Sequence, residues 1–235
     1  MLQFDTNLLC IPKLGASKMS SRQGRTSSPL MSDFPRFKAL WFFKSVLDAD
    51  GNGYTNEEDF VRIALVHAVM FCKGAYFKDI YDMYIRNYQE MWSELARAAD
   101  TNQDGVITFQ EWHSYVTTLR SRVRSFEDLP EFLKKMIENH FSNYDENHDG
   151  QIDINEYRLY LCGKNMDLKL ATDCFQTLLT GKDQARGTIN KKEFCALMFD
   201  FLFSTQPNSG GTYICGPLQS VKSTVIDVYT HLAGV

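Results

Sequence analysis

The chain has 235 residues, with 25 Lys and Arg against 29 Asp and Glu, for a formal net charge of −4. Hydrophobic residues make up 44% and aromatics 13%, too many for a disordered chain, and the mildly acidic balance argues against a nucleic-acid binder. No apolar run reaches the roughly 18 residues a spanning helix requires, so no membrane span is expected.

Residues 1–32 read as a disordered leader. They are rich in Ser, carry Lys13, Lys18, Arg22 and Arg25 against a single acid, Asp5, and lack the apolar segment of a signal peptide. They faintly resemble a mitochondrial transit peptide, and Met19 and Met31 offer alternative starts. The six cysteines, Cys10, Cys72, Cys162, Cys174, Cys195 and Cys215, form no C-x-x-C pair and no zinc spacing with His, so reduced and mostly buried thiols are expected.

From residue 33 a repeat organises the chain. A helix with Leu40, Phe43, Val46 and Leu47 on one face leads into Asp48-Ala-Asp50-Gly-Asn52-Gly53-Tyr54-Thr55-Asn56-Glu-Glu-Asp59. The apolar run 61–72, which carries Arg62 and His67, is the exit helix. A second helix, with Tyr84, Tyr88, Met91, Trp92 and Leu95 in register, enters Asp100-Thr-Asn102-Gln-Asp104-Gly105-Val106-Ile107-Thr108-Phe-Gln-Glu111. A third, with Phe132, Met136, Ile137, His140, Phe141 and Tyr144, enters Asp145-Glu-Asn147-His-Asp149-Gly150-Gln151-Ile152-Asp153-Ile-Asn-Glu156. A fourth, with Leu168, Ala171, Cys174, Phe175 and Leu178, enters a worn copy, Lys182-Asp-Gln184-Ala-Arg186-Gly187-Thr188-Ile189-Asn190-Lys-Lys-Glu193. All four copies keep Gly at position 6 and place an aromatic just after position 12: Phe60, Trp112, Tyr157 and Phe194. Apolar residues follow three and four places on, Ile63/Ala64, Tyr115/Val116, Tyr160/Leu161 and Leu197/Met198, so a helix leaves each loop with its apolar face inward.

D-x-[DN]-x-[DN]-G-x5-E is the EF-hand loop. Ca²⁺ is a hard cation that takes six to eight oxygens at roughly 2.3–2.6 Å, and a short chain wraps it by supplying oxygen at alternate positions. The first loop offers Asp48, Asp50, Asn52, the Tyr54 carbonyl, Asn56 and Asp59; the second Asp100, Asn102, Asp104, the Val106 carbonyl, Thr108 and Glu111; the third Asp145, Asn147, Asp149, the Gln151 carbonyl, Asp153 and Glu156. Position 9 reaches the ion directly or through a water, and position 12 closes the shell. Asp59 is one methylene shorter than Glu, which lowers the coordination number at the first site and makes it more tolerant of Mg²⁺. In the fourth copy Lys182 and Arg186 stand where carboxylates belong, and their repulsion of a divalent ion leaves a structural partner for the third site. Residues at position 8 should pair between loops, Thr55 with Ile107 and Ile152 with Ile189.

These motifs, over residues 33–204, place the chain within reach of the EF-hand proteins. The first two loops start 52 residues apart (48 to 100) and the last two 37 (145 to 182). The long first insert, the worn fourth loop, Asp at position 12 of the first loop and the tail 213–218 resemble invertebrate sarcoplasmic calcium-binding proteins and the related calexcitins. That resemblance implies an all-α body of four helix–loop–helix units in two pairs. The N-terminal pair would occupy 33–122 and the C-terminal pair 129–204, with a tail, 205–235, folding back on the body. It also implies a monomeric cytoplasmic Ca²⁺ buffer with three active sites. A calexcitin-like sensor, which would require a protein target, is the second reading, and a carrier of a coelenterazine-type hydrophobic ligand the third. Of nine Met, Met1, Met19 and Met31 lie in or at the end of the leader and the other six are spread out, so with Trp and Phe expected to dominate the core a buffer fits better than an adaptable groove. No phosphate loop, nucleophile elbow or H-E-x-x-H helix is present, so no enzyme is expected.

The net charge divides along the same lines. The three intact loops hold 5, 3 and 5 acids and no Lys or Arg, or −13, while the remainder holds 25 bases and 16 acids, or +9. Three anionic cages therefore sit on a basic body.

Overall fold

Why each loop should launch a helix is visible in its last four residues. Position 9 is an N-cap residue, and position 12 stands at the third helical position. In the computed structural model, which describes residues 34–163 and 168–216, these two form reciprocal capping boxes. Asn56 and Asp59 cap α2 (Glu57–Phe71), Thr108 and Glu111 cap α4 (Phe109–Arg120), and Asn190 and Glu193 cap α9 (Lys191–Phe203). Asp153 and Glu156 exchange the same two bonds, at 3.0 and 2.9 Å, at the start of α6 (Ile154–Gly163). The helices entering the loops are α1 (Phe34–Phe42, extended by a π-turn at Phe43–Leu47), α3 (Lys78–Ala99), α5 (Glu131–Phe141) and α7 (Leu168–Leu178). A short helix, α8 (Lys182–Arg186), occupies the first five positions of the worn copy, where the sequence suggests an open loop. The leader, Cys10 and the tail beyond residue 216 lie outside the described residues.

The described residues are mostly helical, and the strands among them are four two-residue pieces that join the loops in antiparallel pairs. β1 (Tyr54–Thr55) meets β2 (Ile107–Thr108), with Thr55 opposite Ile107. β3 (Gln151–Ile152) meets β4 (Ile189–Asn190), with Ile152 opposite Ile189. Both registers are those the position-8 residues predict. Thr55, Ile107, Ile152 and Ile189 are all buried, and the Thr55 hydroxyl donates to the Leu47 carbonyl at 2.8 Å.

The aromatics after position 12 are the centre of the core: Phe60, Trp112, Tyr157 and Phe194 are each 0% exposed. Removing a side chain of this size from water stabilises by roughly 1.5–3 kcal/mol. Trp112 stacks on Phe42 with ring centroids 5.5 Å apart, and its indole N–H donates to the Ala39 carbonyl at 3.1 Å. Phe60 leans on Trp92, and Phe194 meets Tyr144 edge-on at 5.3 Å. Among the described residues, Cys72, Cys174, Cys195 and Cys215 are buried thiols outside any disulfide and Cys162 is exposed. Burial pushes the Cys174 thiol up to about 11 and Cys195 up to about 12, which keeps both protonated.

The two halves share one core. α1 packs on α4 and α9, and α3 packs on α5. Two cations from the first half cap the C-terminus of α9. Lys38 donates from Nζ to the Ser204 carbonyl at 2.8 Å, and Arg120 donates to Phe203 and Leu202 at 3.1 and 3.2 Å. These are the carbonyls a helix leaves unpaired at its last turn. Lys38 is fully buried between the rings of Phe34 and Phe201. Burial pulls its pKa down to about 8, with Asp200 opposing and Arg120 adding to the fall.

After α9 the chain turns back as a strap. The Gly211 N–H donates to Asp200 at 2.6 Å, and a 3₁₀ turn at Gly210–Tyr213 lies along α9 and α7. Thr212, Ile214 and Cys215 are buried beneath it. Tyr144 donates to the Ile214 carbonyl at 3.0 Å, and Tyr157 donates to that of Tyr213.

Candidate metal centres

The first three loops share one hydrogen-bond scheme. The glycine N–H at position 6 donates to the position-1 aspartate: Gly53 to Asp48 at 3.1 Å, Gly105 to Asp100 at 3.1 Å, Gly150 to Asp145 at 3.0 Å. The position-7 N–H donates to the position-5 side chain: Tyr54 to Asn52, Val106 to Asp104, Gln151 to Asp149, at 3.1, 3.0 and 2.8 Å. Position 12 accepts from the N–H of position 9, Asn56, Thr108 or Asp153, at 2.9–3.0 Å. Its other oxygen accepts from the loop entrance. Asp59 takes the N–H of Ala49 and Asp50 at 3.0 and 3.2 Å, Glu111 that of Thr101 at 3.1 Å, and Glu156 that of Asn147 at 3.3 Å. These bonds tie the entrance of each loop to its last position and close it into a ring.

The ring needs two left-handed residues, at positions 4 and 6. Position 6 is glycine throughout, with φ of 96°, 83° and 80° at Gly53, Gly105 and Gly150. Position 4 is Gly51 in the first loop, but Gln103 (φ 58°) and His148 (φ 61°) in the others, a strained choice that no sequence motif flags. Side chains at position 9 face the helix: the Asn56 oxygen accepts from Glu58 and Asp59 at 2.8 and 3.3 Å.

In the first loop one oxygen from each of Asp48, Asp50 and Asp59 falls within 4.8 Å of the others, the one such set of acidic, His or Cys groups among the described residues. The short Asp59 carboxylate is drawn onto the loop entrance by two backbone donors, which produces the crowding. Asp48 and Asp59 are buried while Asp50 is exposed, and Oδ1 of Asp48 has no hydrogen-bond partner. Burial raises both carboxyls above the ordinary aspartate value. The N–H groups of Gly53, Gly51 and Asn52 oppose this at Asp48, and those of Asn56, Asp50 and Ala49 at Asp59, while the Asp50 charge adds to it at both. A buried carboxylate oxygen lacking a donor, beside two more carboxylates, is a demand for a cation. The donors are all oxygen, which suits a hard divalent ion.

The second loop is more open. Asn102 and Asp104 are exposed, and Asp100 takes a further bond from the Gln103 N–H at 2.8 Å. What burial Glu111 has would raise its pKa, yet the N–H and hydroxyl donors of Thr108 and Thr101 hold it down to about 2. Thr101 at position 2 is a contributor the motif does not mark; its hydroxyl reaches Glu111 at 2.9 Å. In the third loop Asp145 and Glu156 are buried, with Asn147 and Asp149 exposed and Asp153 between.

An EF hand family model matches residues 97–116 and 139–161, which span the second and third loops. The sarcoplasmic calcium-binding protein of Scylla paramamosain is 29% identical over 187 residues, covering 79% of this chain and 96% of that protein. Sarcoplasmic calcium-binding protein 1 of Astacus leptodactylus is 28% identical over 79% of this chain and 97% of its own length. The solved structure of an amphioxus sarcoplasmic calcium-binding protein superposes with a TM-score of 0.70 at 21% identity, covering 79% of this chain and 98% of that one. The chain thus contains two segments matched by the EF hand model, and 79% of its length aligns with sarcoplasmic calcium-binding proteins at 25–29% identity.

Proposed function

We propose that this protein is a cytoplasmic calcium buffer of the sarcoplasmic calcium-binding type, with three active sites. Loops 48–59, 100–111 and 145–156 would each hold one ion through positions 1, 3, 5, 7 and 12, with position 9 acting through a water because its side chain caps the following helix. The reading takes the body as four EF-hand units in two pairs, 33–122 and 129–204, the fourth holding no metal. The observation that carries it is the shared hydrogen-bond ring, whose first copy leaves the buried Asp48 oxygen without a donor. Support also comes from relatives whose names state calcium binding. Mg²⁺ would compete best at the first site, where Asp59 is short and the carboxylates are tightly drawn. Calorimetry on chelator-stripped protein should give three Ca²⁺ per chain, falling to two in Glu156→Gln. A stoichiometry below three, or one unchanged by Glu156→Gln, would refute the assignment.

The sensor reading has one observation in its favour. The outer face of α2 and the turn into α3 leave Val66, Val69, Met70, Phe71, Tyr76 and Phe77 between 43% and 70% exposed, an apolar surface towards the far end of the helix that leaves the first loop. A large Ca²⁺-dependent response from an apolar-sensitive dye, with Mg²⁺ present, would favour the sensor; a flat one favours the buffer.

A further inference from the structure

The worn fourth loop is not an empty relic. Arg186, at position 5, folds its guanidinium back into the ring. Nη2 donates to Glu193 Oε2 at 2.5 Å and to the Thr188 carbonyl at 2.9 Å. Nε donates to the Thr188 hydroxyl at 2.9 Å and to its carbonyl at 3.3 Å. Glu193 is position 12 and the Thr188 carbonyl is position 7, the two groups that in an intact loop would close around the metal. A second carboxylate, Asp183 at position 2, takes another bond from Nη2 at 2.9 Å. We infer that Arg186 is a built-in cation that takes the place of a divalent ion in the fourth loop and holds that loop closed without metal.

The loop around it fits this role. Gly187 has φ 74°, as position 6 does in the other three, and its N–H is held by the Asp183 carbonyl at 2.7 Å. Asn190 and Glu193 complete their capping box, with the Asn190 N–H donating to the same Oε2 that Arg186 engages, at 2.8 Å. A guanidinium suits this task better than an ammonium, because its planar fork reaches two acceptors at fixed angles. Closure is passed to the neighbour. The Thr188 hydroxyl, gripped by Arg186, donates to the Gln151 side chain at 3.0 Å, and Gln151 is position 7 of the third loop. Beside it, Ile189 pairs with Ile152. Arg186 is therefore a positioning residue for the third site, and this last step rests on the calcium reading above.

The test is Arg186→Gln in the full chain, read in two ways. In chelator, the Gly187 amide of the unsubstituted protein should give a dispersed NMR resonance and slow hydrogen exchange, and the variant should lose both. That readout needs no metal, so it stands even if the chain binds no calcium. In calorimetry, the variant should weaken the third site by about three- to tenfold, the size of one charge-assisted cluster discounted for partial exposure, with the first two sites unchanged. Arg186→Lys, which keeps the charge without the fork, should recover only part of the loss, and it carries the test if Arg186→Gln does not fold. A Gly187 amide unchanged by both variants in chelator would overturn the stand-in role. An unchanged third site alone would overturn the transmission through Thr188.

Discussion

Gly211→Ala tests how the strap supports the third site. The backbone of Gly211 is ordinary, so the cost is purely steric. An added Cβ would lie 2.0 Å from the Leu197 carbonyl oxygen and 2.9 Å from both its carbon and the Phe201 nitrogen. Ordinary contact begins near 3.4 Å, so strap and α9 must part by about 1.4 Å. That movement takes the 2.6 Å bond from Gly211 to Asp200 beyond hydrogen-bond range and loosens Ile214 and Cys215, each 1% exposed. A lost bond to a charged acceptor costs about 1.5–3 kcal/mol, and overpacking adds about 1–3 kcal/mol, for roughly 2.5–6 kcal/mol together. The consequence reaches the proposed third site because the strap accepts from Tyr144 and Tyr157, the residues just before Asp145 and just after Glu156. Urea unfolding in chelator should show the loss, and calorimetry should show a weaker third site beside two unaltered ones. Gly210→Ala is the control, since its Cβ would meet only the end of the Leu197 side chain, at 4.0 Å. A destabilisation below about 1 kcal/mol for Gly211→Ala, or equal losses for the two variants, would refute the account.

Three further outcomes follow from single groups. Asp59→Glu should raise Ca²⁺ over Mg²⁺ selectivity at the first site, because the longer carboxylate can offer both oxygens; competition calorimetry showing no rise would remove the short carboxylate as the cause. Asp48 and Asp59 have folded pKa values raised by burial, so they hold protons that the unfolded chain has released, and their contribution to metal-free stability falls as pH rises through that window. Melting in chelator should show this slope just above the ordinary aspartate value, and Asp48→Asn should flatten it. Lys38 is the reverse case: its folded value of about 8 lies below the ordinary 10.5, so the unfolded chain binds the extra proton and stability should rise between those two pH values. Lys38→Met should abolish that rise, and an identical slope in the variant would sink the assignment.

What the sequence revealed was local. Positions within a twelve-residue loop are tied by backbone geometry, so the register Thr55–Ile107 and Ile152–Ile189 could be read from spacing. The buried ring after each position 12 could be read too, because α-helical periodicity fixes which side faces inward. What stayed hidden joins distant segments or depends on side-chain reach. Lys38 and Ser204 are 166 residues apart, and no motif announces that a lysine will cap another helix's C-terminus. The left-handed Gln103 and His148 hold a conformation that composition disguises. Arg186 was legible as a charge that repels metal, but its grip on Glu193 and Thr188 required the folded ring. Fitting a twelve-residue loop template to the fourth copy also concealed α8, which Gly181 and Gly187 bracket with positive φ on both sides.

The four loops solve one electrostatic problem. In each, position 12 is bound to the helix it caps, so its carboxylate is held in the ring whether or not a cation is present. The capping box thus builds the site and also concentrates its negative charge. Residues 48–59 and 100–111 carry five and three acids and no bases, so the N-terminal pair meets this repulsion in both loops. The C-terminal pair meets it only in 145–156, since Arg186 neutralises its partner. Without divalent ions the two pairs should therefore differ in stability. Hydrogen exchange in chelator should run faster across the β1–β2 ladder than across β3–β4, and saturating Ca²⁺ should narrow the gap. The reverse order would mean that packing around Phe60 and Trp112 outweighs the crowded carboxylates, and that charge does not set the metal dependence of this fold.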